Sequence, residues 1–168
     1  SAAFFLFFLI ISTTISLPIS DYSVFTIEEK YGFNKTTKIT FLKDKIKGLL
    51  MSLIIGGFIL FVSIQIYILF GANFWLWLWL FLSVFLILTN MFYTTLIVPI
   101  FNKLSPLEEG SLKNKIEEYS KKIGYSLDKI FVIDGSKRSS KANAFFSGLG
   151  PKKTIALFDT LIDKHEED

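Results

Sequence analysis

The sequence contains no cysteine, which excludes disulfides and thiolate metal sites. It has one histidine, His165, and one arginine, Arg138, against 17 lysines; the lysine bias reads as compositional drift. Charge is missing from whole regions. No Asp, Glu, Lys or Arg occurs between Ser1 and Ser20 or between Gly48 and Asn102, so all of the charged residues lie outside those two stretches. A net charge of +3 excludes the strongly basic profile of a dedicated nucleic-acid binder and suits a surface facing anionic lipid. No nucleic-acid partner is expected.

What fills those gaps is apolar. Hydrophobic residues make up 51% of the 168 residues and charged ones 20%, below the roughly 25% of ordinary globular chains, and the mean hydropathy is +0.49. A helix rises about 1.5 Å per residue and needs roughly 20 residues to cross about 30 Å of hydrocarbon. The charge-free run Gly48 to Asn102, 55 residues long, must therefore cross twice. Its natural break is Gly71-Ala72-Asn73, predicting spans over about 49–70 and 74–99. Ala2 to Ile19 forms a further apolar run, read as a span because neither the basic start nor the shorter core of a signal peptide is visible. Trp75, Trp77 and Trp79 gather at the start of the last span, where indole rings favour the headgroup level. Gln65, deep in a span, suits an interhelical hydrogen bond better than a transport site.

The two charged regions flank the hairpin and must share one side of the membrane. Positive residues outnumber negative ones 6 to 4 over 21–47 and 12 to 11 from Lys103 onward, while the turn at 71–73 has none. The positive-inside rule then puts 20–48 and 103–168 in the cytosol. Asn34-Lys35-Thr36 fits the N-glycosylation pattern, which a cytosolic loop leaves unused. Two regions are expected: membrane, 1–102, and a cytosolic segment, 103–168. About 66 residues make a marginal core, so more chain should pack on it. The start at Ser1 without Met and the stop in a charged run also suggest a fragment.

The polar segment reads as α+β. Leu112, Ile116, Tyr119 and Ile123 share one helical face, and Gly124 is a suitable stop. Strand-like runs follow over Lys129–Asp134, Ala142–Gly148 and Thr154–Phe158. Short connections favour antiparallel neighbours, so the fold class is a multi-span helical membrane protein with one cytosolic helix and a three-stranded antiparallel meander.

Four features bear on chemistry. Gly135 to Lys141 is a glycine-led basic loop lacking the second Gly and the Lys-Ser/Thr pair of a phosphate cradle; a solvated turn is the simpler reading. Asn143-Ala144-Phe145 lies in a strand whose edge could pair with an extended peptide, although spacing alone says only strand. His165-Glu166-Glu167-Asp168 begins like HExxH, the zinc-protease motif, yet a charged linker is the simpler reading. Gly32 to Thr37 is ambiguous between a turn with a helix cap and a contact with further chain.

Together these blocks carry a resemblance. Glu28 to Thr37, Pro99-Ile100-Phe101-Asn102-Lys103, Pro106-Leu107 with Gly110 and Leu112, Asp134 to Ser140, Asn143-Ala144-Phe145 and Leu157-Phe158-Asp159-Thr160-Leu161 occur in the order seen in type 1 CAAX prenyl endopeptidases, which the chain resembles from about its first span to its end. Lys141-Ala142 departs from the His-Ser common in that family, which bears on substrate preference. The resemblance implies a multi-pass zinc endopeptidase of the endoplasmic reticulum membrane and the nuclear envelope that removes the last three residues of prenylated CAAX proteins. It implies that Asn143, Ala144 and Phe145 bind the substrate backbone beside the zinc. It also implies that HExxH follows an acidic spacer, so that the Zn2+ ligands and general base lie beyond Asp168. Residues 1–168 are then expected to contain no catalytic or metal residue and to be inactive alone. The alternative from another class is a non-catalytic membrane adaptor or pseudoprotease that binds an extended peptide through the same strand.

Overall fold

The computed structural model describes residues 2–150 and 153–164. The chain forms two compact units, Ser1–Phe85 and Leu86–Asp168.

In the first unit, α1 (Ala2–Tyr22) runs into a π-helical turn, Ser23–Glu28, and α2 spans Lys38–Phe70. Gly32, at φ +70°, ends the first helix, with Phe33 N–H donating back to the Glu28 carbonyl. Thr37 opens α2 by accepting the Thr40 N–H at 3.2 Å, an N-cap. The ambiguous Gly32 to Thr37 segment is thus a turn plus a cap. It is tightened by Asn34, whose Oδ1 accepts Thr36 N–H at 2.7 Å and whose amide donates to Glu29. Lys38 pairs with Asp21 at 2.7 Å, and Lys45 donates to Ser20 Oγ. With 33 residues, α2 is about 50 Å long, longer than the roughly 30 Å of a bilayer's hydrocarbon, and its charges fall in its first ten residues.

Gly71–Asn73 makes a tight turn, with Gly71 at φ +51°, and α3 (Phe74–Phe92) returns. Phe70 stacks on Trp77 at 4.5 Å and Tyr67 meets Phe74 edge-on at 5.4 Å, which pins the hairpin at its tip. Ile54, Leu69 and Trp75 are all more than 60% exposed, an apolar surface of the kind that meets lipid or further membrane helices. The spans expected at 2–19, 49–70 and 74–99 all lie in helix.

In the second unit α3 loosens into a π-helical turn, Tyr93–Ile97, followed by α4 (Val98–Phe101). The rest is β1 (Leu104–Pro106), α5 (Ser111–Lys122), β2 (Leu127–Ile133), β3 (Ala144–Ser147), β4 (Lys153–Phe158) and α6 (Asp159–Ile162). Helix α5 ends as the sequence predicts, Gly124 adopting φ +69° and Tyr125 N–H donating to the Ser120 carbonyl at 2.8 Å.

The sheet differs from the expected meander. It is four-stranded and mixed, in the order β1-β2-β4-β3. Strand β4 lies parallel to β2, with Ile133 opposite Phe158, while β1 is antiparallel to β2 and β3 antiparallel to β4. The reason lies in the β2-to-β4 connection. A parallel pair needs a crossover of a dozen or more residues, and the stretch from Asp134 to Gly150 is already long enough to supply it. Strand β3 is the last part of that crossover, so it hairpins onto the outer side of β4 instead of pairing with β2. Strand β1 escaped notice because it has three residues and ends in Pro106, which suits only an edge. Central β4 buries Thr154, Ala156 and Leu157. Beneath the sheet, Val98, Ile133 and Ala156 form the core with Leu104, Phe145 and Phe158 around it. On the opposite face α5 leaves a groove of about 380 Å³ lined by Ile116, Tyr119, Ile123, Tyr125, Phe146 and Ile155, with Lys115 and Ser120 at its margin.

Candidate functional site

Strand β3 has β4 on one side and no strand on the other among the described residues. Which of its peptide groups face outward follows from register. Phe158 N–H donates to the Asn143 carbonyl at 3.0 Å, so Asn143, Phe145 and Ser147 belong to the bonded pairs with β4, and Ala144 and Phe146 turn their main-chain groups to the open edge. Asn143 Oδ1 accepts the Ala144 N–H at 2.9 Å. The open edge therefore presents the carbonyls of Ala144 and Phe146 and the Phe146 N–H, an array suited to adding an extended peptide as one more strand.

Of the three residues singled out in sequence, Asn143 and Ala144 are exposed and Phe145 is half-buried. Asn143 precedes the strand instead of lying within it. The Phe145 ring turns inward, edge-on to Tyr93 at 5.9 Å and to Phe158 at 6.4 Å. Phe146, which sequence reasoning passed over, is 71% exposed and meets Tyr125 at 6.0 Å on the groove side. The period-two alternation of the strand was the available signal, but it cannot be used until register is known.

The loop after β2 is not a free solvated turn. Asp134 accepts Lys103 N–H through Oδ1 at 2.6 Å. Arg138 donates through Nη1 to Asn102 Oδ1 at 2.8 Å and through Nη2 to the Phe101 carbonyl. The single arginine, which composition had suggested was drift, thus fastens the membrane exit to the loop with two donors in a fixed fork. Asp159 Oδ1 accepts the N–H groups of Ser136 and Thr160, each at 2.8 Å, and Oδ2 accepts the Ser136 hydroxyl. Thr160 Oγ1 donates to the Lys141 carbonyl at 2.8 Å, and Lys164 to that of Ser140. Sequence blocks far apart in the chain, 101–103, 134–141 and 158–160, are one interlocked unit beside β3.

Among the described residues no three His, Cys, Asp or Glu side chains come together as metal ligands, and His165 to Asp168 lie outside the described residues. The carboxylates of Asp134 and Asp159 are engaged by backbone N–H groups. The side chains of the described residues do not fit a zinc ion.

Long apolar helices in one unit and a mixed sheet with an open edge strand in the other define a helical membrane-type protein with a small α+β segment. Comparison with known proteins gives the family. Residues 1–103 match the family described as "CAAX prenyl protease N-terminal, five membrane helices", and residues 106–168 match peptidase family M48; the chain belongs to the CAAX prenyl proteases. It is 46% identical over 159 residues to CAAX prenyl protease 1 of Saccharomyces cerevisiae, covering 94% of this chain and 35% of that protein. It is 40% identical to the human CAAX prenyl protease 1 homolog, covering 98% and 35%. The crystal structure of S. mikatae Ste24p superposes with a TM-score of 0.86 at 47% identity, over 92% of this chain and 37% of that one. The chain spans about a third of the length of these relatives.

Proposed function

We propose that this chain forms the membrane region and the peptide-presenting strand of an integral-membrane zinc endopeptidase that removes the C-terminal tripeptide from prenylated CAAX proteins. Residues 1–102 would form the membrane region and 103–168 the start of the cytosolic protease domain, in the endoplasmic reticulum membrane. The observation that carries the reading is the open edge of β3. Ala144 would meet the substrate main chain through its carbonyl and Asn143 through its side-chain amide, with Phe145 anchoring the strand from beneath. The zinc, which supplies a polarised water in proteases of this kind, would be held by side chains other than the described ones. Residues 1–168 alone would not cleave peptides.

The names of the relatives support the substrate class, and membership of a peptidase family disfavours the non-catalytic adaptor. The test uses a chimera in which this chain replaces the matching third of the S. cerevisiae relative. Asn143→Ala should lower turnover of a prenylated CAAX peptide at least tenfold with the thermal unfolding midpoint unchanged. Unchanged turnover would sink the substrate-strand assignment, and chelator-sensitive proteolysis by residues 1–168 alone would contradict the expected inactivity.

A further inference from the structure

Twenty residues of helix, Phe74 to Tyr93, already span the roughly 30 Å of hydrocarbon. The apolar run continues to Phe101, and its last part does something other than cross. At Tyr93–Ile97 the helix widens to the π form, which occurs often at functional sites, and the widened turn is covered by the sheet. Thr94 is 1% exposed and Val98 5%. Val98 enters the core with Ile133 and Ala156. Tyr93 meets Phe145 edge-on, and the Thr94 hydroxyl is hydrogen-bonded to that of Ser147. Every inward-facing residue of β3, Phe145 and Ser147, therefore rests on this one helical turn.

A buried hydroxyl pair contributes little stability compared with apolar groups of the same shape. It does have direction. Two hydroxyls that satisfy one another hold a strand at one height and register, where methyl groups would let it slide. We infer that Thr94, acting through Ser147, is a positioning residue that fixes the edge of β3 relative to the end of the membrane span, and so sets where a lipid-anchored peptide can add to it. The inference rests on the reading of β3 as the substrate strand. It gives that strand a second determinant within the span itself.

The same chimera tests it, purified and reconstituted, with a prenylated CAAX peptide as the probe. Thr94→Val and Ser147→Ala should each raise KM about five- to tenfold with kcat within about twofold, as expected for loss of one positioning hydrogen bond. The double variant should be no worse than either single one, and Thr94→Ser should restore the original KM. A purely structural role would lower the unfolding midpoint and leave KM of the folded fraction unchanged, and that result would overturn the inference. The reading beneath it is tested separately. If Asn143→Ala leaves turnover unchanged, the substrate-strand reading fails, whatever Thr94→Val does. If Asn143→Ala alone is impaired, that reading stands and the role of Thr94 is refuted.

Discussion

The ring of Phe158 lies 2.1 Å from the point where a Cβ on Gly135 would stand. Gly135 is buried at the start of the loop after β2, and Phe158 ends β4 against the core. The space between them is filled by the ring, so the glycine is required by a close approach.

Gly135→Ala should accordingly destabilise the second unit by roughly 1–3 kcal/mol, the usual cost of forcing extra volume into a packed site. Phe158→Leu should relieve part of that cost in the double variant. Thermal unfolding of the four proteins of the cycle measures the coupling; additive effects would show that the loop moves aside freely.

Arg138→Lys should be far from neutral. A lysine ammonium cannot reproduce the forked contacts to Asn102 Oδ1 and the Phe101 carbonyl, so the variant should lose about 1–2 kcal/mol. The loop 134–141 should then become accessible to trypsin under conditions where the parent is resistant. Equal resistance in the two proteins would refute the bracing role.

Proline offers a direct test of strand register. At Phe146, whose N–H faces the open edge, proline should leave the β3–β4 pairing largely in place and block addition of a peptide strand. At Phe145, which is bonded to β4, it should break the hairpin. Peptide binding and hydrogen exchange separate the two cases; the reverse pattern would mean that the register is shifted by one residue.

In the membrane unit, a Cβ on Gly56 would fall 2.5 Å from the Phe5 ring, so α1 and α2 approach closely there. Since the chain has no cysteine, introduced cysteines at positions 5 and 56 report this contact without background. They should crosslink readily through a short bifunctional reagent, whereas cysteines at 5 and 57 should react less, Gly57 having no atom near its Cβ position.

The titration of Lys113 is clearly displaced. A hydrogen bond to Glu109 raises its pKa above the ordinary 10.5, with the charges of Glu109 and Glu117 adding to it and desolvation opposing. The raised value means that this pairing stabilises the folded state fully below pH about 10.5 and is lost as pH rises through the folded value. Lys113→Met should therefore change stability little, and equally, between pH 6 and 9. A difference that grows across that range would show that another group is linked to it.

How far the sequence carried depended on the range of the forces involved. The long apolar helices, the hairpin turn and the end of α5 were legible because absence of charge, glycine at positive φ and helical periodicity act within a few residues or on every residue alike. The blocks Asn102-Lys103, Asp134 to Ser140 and Asp159-Thr160 were visible as a family signature, but nothing local said that they bind one another; their hydrogen bonds join positions 23 to 37 residues apart. Strand order was misread for the same reason. Each short strand was locally plausible, and only the crossover that lets β4 lie between β2 and β3 decided which neighbour each received. Asn143, Ala144 and Phe145 were picked out in sequence, yet which of them face the open edge, and how Thr94, Ser147 and Phe146 are placed about the strand, depends on which peptide groups β4 has already taken. Hydrophobic pattern marks the long apolar helices. Edge, register and the seat of β3 come from pairing between distant segments, which only the folded chain brings together.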